Sequence, residues 1–168
     1  MHHDANQSEQ IKQVAELIKG IKVAMMTTVN PDGSLHSRPM VVQDQDFSGD
    51  LWFLTGKDTL KTDEIAKNPQ VNVAFSDPDD NRFVSVSGKA RVVQDKAKLD
   101  ELWNPAMKAW FPKGKDDPNI ALIQVDPTLA EYWDAANSKV VQLIGFVKAI
   151  ASGERYEGEA SDHGSVRL

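Results

Sequence analysis

The chain contains no cysteine, which excludes disulfides, thiolate metal sites and a cysteine nucleophile, and fits a reducing compartment. It also has no excess of positive charge: 19 Lys and Arg stand against 25 Asp and Glu, for a net charge of −6. Nucleic acid and anionic membrane are therefore not expected as partners, and any anion site must be a local exception. Long apolar runs are missing. The most apolar late stretch, 140–151, is too short to span a bilayer and carries Lys148. Residues 1–7 have neither a cationic nor an apolar region, so no signal peptide is expected and the cytoplasm is the expected location. Nucleotide motifs are lacking as well. Gly56-Lys57-Asp58-Thr59 looks like the end of a P-loop, but the motif's first glycine is missing, and no GxGxxG follows a strand. His2, His3, His36 and His163 show no ligand spacing, so no metal is expected. Asp63-Glu64 and Asp79-Asp80 read as solvated charges, and no Ser-His-Asp arrangement can be made out.

What is present is a succession of short strands with few helices. Ser8 is placed to cap a first helix with Ile11, Val14, Leu17 and Ile18 on one face, and Gly20 to end it. Strands are expected at 22–29 and 35–43 around the turn Asn30-Pro31-Asp32-Gly33, then at 51–55, 71–75 and 83–94. Gly88 marks a bulge or bend in the last of these. A helix at 59–67 is stopped by Asn68-Pro69. Pro105, with Asn104 as cap, divides 95–111 into two short helices. Further strands at 120–125 and 129–133 flank Asp126-Pro127, a helix is expected at 138–152, and the tail 153–168 reads as extended or mobile. The four tryptophans, Trp52, Trp103, Trp110 and Trp133, read as core packing. The expected fold is a single α+β domain over 1–168, an antiparallel six- to seven-stranded barrel with peripheral helices.

Two cations stand where their surroundings disfavour them. Arg38, in Ser37-Arg38-Pro39-Met40-Val41-Val42, shares a strand face with Met40 and Val42. Lys61 falls in the first turn of the 59–67 helix, where the helix dipole opposes a positive charge by roughly 0.3–1 kcal/mol. Thr55 and Thr59 lead into that helix. A helix N-terminus, hydroxyls, a lysine and an incoming arginine together suit a phosphate. Taken alone, Arg38 is more often an edge residue paired with a carboxylate, and Lys61 a solvated helix lysine.

Ser37-Arg38-Pro39-Met40-Val41-Val42, Leu54-Thr55-Gly56-Lys57-Asp58-Thr59-Leu60-Lys61, Asn68-Pro69-Gln70-Val71, Val86-Ser87-Gly88-Lys89-Ala90 and Glu131-Tyr132-Trp133 occur in an order that resembles the pyridoxamine 5′-phosphate oxidase-like flavoproteins. Leu102-Trp103-Asn104-Pro105 and Ala109-Trp110-Phe111-Pro112 resemble their bacterial general stress protein branch. The likeness covers about residues 8–135. It implies an FMN-binding split barrel, with the phosphate held by Arg38, Lys61 and Thr59. Met40 and Val41 would line the isoalloxazine with Pro39 and Leu54, Thr55 would offer a polar contact, and Trp133 would flank the ring. It also implies a homodimer with the flavin at the interface.

The departures from that family are specific. Pyridoxamine phosphate oxidases carry Lys at the position of Gln43, Gln at that of Phe83, and an Arg-x-His element where this chain has Asp134-Ala135-Ala136-Asn137-Ser138. Without those cations the substrate phosphate loses its grip, so vitamin B6 oxidase activity is not expected. The expected function is that of an FMN-binding general stress protein, with FAD as a possible substitute and flavin-dependent electron or hydride transfer as the reaction class. The alternative is a non-enzymatic flavin-binding or flavin-sequestering protein; a split barrel using haem or a deazaflavin is a third reading.

Overall fold

The computed structural model describes residues 2–43, 47–135 and 161–168; the helix expected at 138–152 lies outside them. Helix α1 (His2–Ile18) is followed by β1 (Val23–Val29), β2 (Leu35–Val41), β3 (Leu51–Gly56) and α2 (Leu60–Lys67). Then come β4 (Gln70–Asp77), β5 (Arg82–Val93), α3 (Lys96–Leu102), a 3-10 turn (Pro105–Ala109), β6 (Ile120–Ala135) and β7 (Ser161–Arg167). No helix among the described residues is long and apolar enough to cross a membrane.

The strands form one antiparallel sheet in the order β2-β1-β4-β5-β6-β3, with β7 added to β6. The two edges, β2 and β3, approach each other without pairing. The curled sheet is therefore a barrel left split along one seam, as the α+β reading anticipates. Period-two alternation builds it: on β1, Ala24, Met26 and Thr28 face inward while Val23 and Met25 face out. Met26, Phe53, Val73, Phe75, Val84, Val86, Ile123 and Val125 fill the interior, each at most 2% exposed. Helix α1 closes one end with Val14, Leu17 and Ile18.

Several expectations are corrected. Ser8 is not a cap, because the helix begins at His2; neither glycine nor proline lies between His2 and Gln7 to stop it. Residues 120–125 and 129–133 belong to one strand. Pairing shifts between Ser87 and Gly88, which face Leu129 and Pro127, so the extra residue Thr128 makes a bulge that tolerates the proline. Of the tail, expected to be extended or mobile, the described part is extended and paired. Residues 161–167 pair with Leu129–Ala135, covering the β6 edge that β3 leaves beyond Val125.

The tryptophans divide. Trp52 and Trp103 pack with Leu99, Leu102, Ile120 and Leu122, as expected. Trp110 is 63% exposed and Trp133 37% exposed. The 3-10 turn breaks the helical spacing that would have turned Trp110 inward. On β6 the inward position goes to Tyr132, so its neighbour Trp133 must point out.

Gly88 is required by close approach: a Cβ there would lie 2.3 Å from the Asp126 carbonyl oxygen and 2.9 Å from Pro127 Cα. Both are backbone atoms and cannot swing away. Gly88→Ala is expected to cost about 1–3 kcal/mol, or roughly 2–4 °C of melting temperature per kcal/mol. A thermal melt unchanged by the substitution would contradict this reading of the bulge.

Candidate functional site

The seam between β2 and β3 opens into a cleft of about 380 Å³. Pro39, Met40 and Val41 line it from β2, Leu54, Thr55 and Gly56 from β3, and Lys61 from the start of α2. Six of the nine residues singled out from the sequence therefore meet in one place. Arg38 and Thr59 are not among the lining residues, though Arg38 directly precedes Pro39. Thr59 caps α2, and its Cγ2 would lie 3.1 Å from a Cβ on Gly56. Trp133 is elsewhere. Thr55 pairs with Ala121, and Trp133 lies twelve residues further along β6, up to roughly 40 Å of strand.

Arg38 is held from behind by groups that the sequence reading passed over. It faces inward beside Met40. Its Nη2 donates to Glu64 Oε2 at 2.7 Å, and its Nη1 donates to Thr28 Oγ1 at 2.8 Å. Glu64 is only 2% exposed and Thr28 is wholly buried, so Glu64 is not a solvated helix charge. The Thr28 hydroxyl donates to the same Glu64 oxygen. His36 Nδ1 lies 3.0 Å from Arg38 Nη2 and 3.4 Å from Glu64 Oε1. The edge-residue reading of Arg38 is thus realised: it is on an edge strand and paired with a carboxylate. One signal pointed to Glu64, since it sits three residues after Lys61 on the same helix face. Nothing local marks Thr28 or His36.

Lys61 is half-buried at the cleft. Burial lowers its pKa, the Arg38 charge lowers it further, and Glu64 partly offsets both. The loop before it is tied by Thr62, whose hydroxyl accepts the Thr59 N–H at 3.1 Å and lies 2.7 Å from the Thr59 carbonyl oxygen. The far wall of the cleft consists of Met107, Trp110 and Phe111 from the 3-10 turn and the residues after it. Gln43 also lines the cleft, and its Oε1 is a buried acceptor without a partner. Among the described residues no cluster of His, Asp or Glu could hold a metal.

The cleft combines an apolar body, one desolvated cation beside a helix N-terminus and an orphaned acceptor. That donor set suits a flat apolar ring carrying a phosphate arm. Among the described residues Lys61 is the only ionisable side chain on the lining.

Burial pushes the Glu64 carboxyl up, but hydrogen bonds from Thr28, His36 and Arg38, with the Arg38 charge, outweigh it and leave the pKa below the ordinary glutamate value. A carboxyl lowered on folding contributes stability above its unfolded pKa and loses it as pH falls through the folded value. Glu64→Gln should therefore destabilise the protein at pH 7 by about 1–3 kcal/mol. The gap from wild type should close in acid, once pH falls below the ordinary value of about 4.3. Denaturant melts at pH 7 and in acid check this; a pH-independent gap would make the role of Glu64 purely steric.

The family described as "Pyridoxamine 5'-phosphate oxidase like" matches residues 9–157 of the chain. General stress protein 26 of Bacillus subtilis is 28% identical over 141 residues, spanning 82% of this chain and 98% of that protein. The crystal structure of a general stress FMN/FAD binding protein from Xanthomonas citri is 34% identical, with a TM-score of 0.66 over 77% of this chain and 92% of that one. At 22% identity, a general stress protein 26 structure from Jannaschia shares the fold, with a TM-score of 0.73 over 98% of this chain and 99% of its own.

Proposed function

Because the chain belongs to the pyridoxamine 5′-phosphate oxidase-like family, we propose that it is a cytoplasmic FMN-binding protein whose flavin lies in the seam cleft. The observation that carries this is Lys61, a cation desolvated in the first turn of a helix. That position opposes it unless an anion is bound. The phosphate would meet Lys61, Arg38 and the Thr59 hydroxyl. The ring would lie against Pro39, Met40, Val41 and Leu54, with Thr55 as a polar contact and Gln43 Oε1 as an acceptor in need of a donor. Support also comes from the Xanthomonas citri neighbour, described as binding FMN or FAD.

A bound flavin would supply electron or hydride transfer, while the chain binds it, orients it and excludes water. Stopped-flow mixing with NADH or NADPH separates an oxidoreductase, which reduces its flavin rapidly, from a flavin-sequestering protein, which does not.

FMN should bind at least about tenfold more tightly than riboflavin, since charged hydrogen bonds contribute roughly 1.5–3 kcal/mol each. Lys61→Ala should erase much of that preference and leave the ligand-free melting temperature unchanged or slightly raised. Equal affinities for the two flavins, measured by fluorescence quenching, would end the phosphate assignment.

The site is completed by a second copy of the chain. The barrel interior is filled, so the ring must lie outside it and be covered. Val23, Met25, Val41, Phe83 and Trp133 are 37–51% exposed. Val23 pairs with Val41, Met25 with Pro39 and Phe83 with Trp133, so they occupy an outward sheet face. Val41 and Pro39 also line the cleft, which therefore opens onto that face. Closed two-fold dimers are the commonest homo-oligomers, and one would let Trp133 of the partner subunit flank the ring. Light scattering should give a dimer for the wild type. Met25→Glu should shift it toward monomer and weaken FMN binding; a monomer that keeps full affinity would remove the second copy from the site.

A further inference from the structure

We propose that His36 and Glu64 are positioning residues for the phosphate arginine, His36 being the acceptor that an incoming phosphate must displace. This rests on the FMN phosphate site argued above. A guanidinium has four terminal N–H groups. Here Nη1 points at Thr28 Oγ1, at 2.8 Å, and at the Met26 carbonyl, at 3.5 Å. Nη2 points at Glu64 Oε2, at 2.7 Å, and at His36 Nδ1, at 3.0 Å. The terminal donors are thus already engaged, so beyond the Nε–H a phosphate gains a hydrogen bond from Arg38 only by taking one from its present acceptor. Thr28 and the Glu64 side chain are sealed, at 0% and 3% exposure, whereas the His36 side chain is 46% exposed. The ligand comes from the His36 side, and the His36 contact is the one that yields.

The Nδ1 position admits two arrangements and no mixture of them. Arginine only donates and carboxylate only accepts. A bare Nδ1 accepts from Arg38 and leaves Glu64 Oε1 without its histidine donor. A hydrogen on Nδ1, in the neutral Nδ1–H tautomer or the imidazolium, donates to Glu64 Oε1 and releases the Nη2 hydrogen, and the imidazolium alone also adds charge beside the phosphate. Glu64 therefore both anchors Arg38 and offers His36 a second place to bond. The charged groups around His36 are Arg38 on its own strand, Glu64 bonded to it from α2, and Lys61 on that same helix; β1 contributes the neutral Thr28. Protonating His36 turns an Arg38 acceptor into a cation paired with Glu64, so the phosphate gains a free donor and a more positive pocket. By linkage, phosphate binding and proton uptake by His36 favour each other.

The pH profile tests this in the full-length chain. A phosphate's own second ionisation, near pH 6, works the other way, since the ligand loses charge in acid. The FMN-to-riboflavin affinity ratio, from fluorescence quenching between pH 6.5 and 8.5, should rise about threefold or more toward the acid end in the wild type. In His36→Ala, which alters a half-exposed side chain, the ratio should start higher at pH 8.5 and stay flat or fall toward acid. A rise of the same size in His36→Ala, or a flat wild-type profile with FMN still preferred, overturns the proposal alone. Equal affinities for both flavins at every pH would remove the phosphate site itself and this proposal with it.

Discussion

The buried bond between Arg38 and Glu64 is the interaction on which the site depends. It joins the edge strand β2 to helix α2, with Thr28 of β1 bonded to both partners. Leaving either charge without its partner would cost about 1–3 kcal/mol, so displacing one element strains the other. The helix has little else to hold it: of its apolar residues Ile65 is buried while Leu60 is 64% exposed. The ion pair therefore sets where the α2 N-terminus points, and with it where Lys61 meets the seam.

The same arrangement divides labour between the two cations. The charge of Arg38 is compensated by Glu64, so its contribution to an anion is mainly geometric, a planar fork held in a fixed orientation. Among the described residues Lys61 has no such bonded counter-charge, and burial already weakens its hold on a proton. It supplies the local positive potential in a chain whose net charge is −6. Changes at residue 38 should thus disturb fold and binding together, and changes at residue 61 binding alone. That distinction follows from partners and burial, since both residues carry the same formal charge.

Much of this was legible in the sequence, and the rest was hidden for identifiable reasons. Period-two alternation and the turn Asn30-Pro31-Asp32-Gly33 mark the hairpin of β1 and β2 because both signals are local. Lys61 and Thr59 stand out because they sit at a helix start, which sequence can locate. Glu64 was misread because a helical carboxylate is usually solvated, and its burial depends on an arginine 26 residues away. Pro127 suggested a strand break because only the facing strand shows that a bulge accommodates it. β7 was missed for a similar reason: its polar residues around Gly164 pair only because β6 offers an open edge. The far wall at Met107, Trp110 and Phe111 arises from a short 3-10 turn that Asn104 and Pro105 located in the sequence, but its three-residue turn leaves Trp110 exposed where core packing was expected.

The split seam and the outward apolar face belong to one design constraint. A closed barrel would have no unpaired edges, but its packed interior leaves no room for a three-ring ligand. Leaving β2 and β3 unpaired provides a groove, at the cost of two exposed edges that invite association. Val41 lies at the junction of groove and face, 41% exposed and paired with Val23. Any surface that covers the apolar strands there also roofs the cleft. In the proposed dimer, cofactor retention and subunit contact would be coupled through the same side chains: whatever orders one would stabilise the other by mass action.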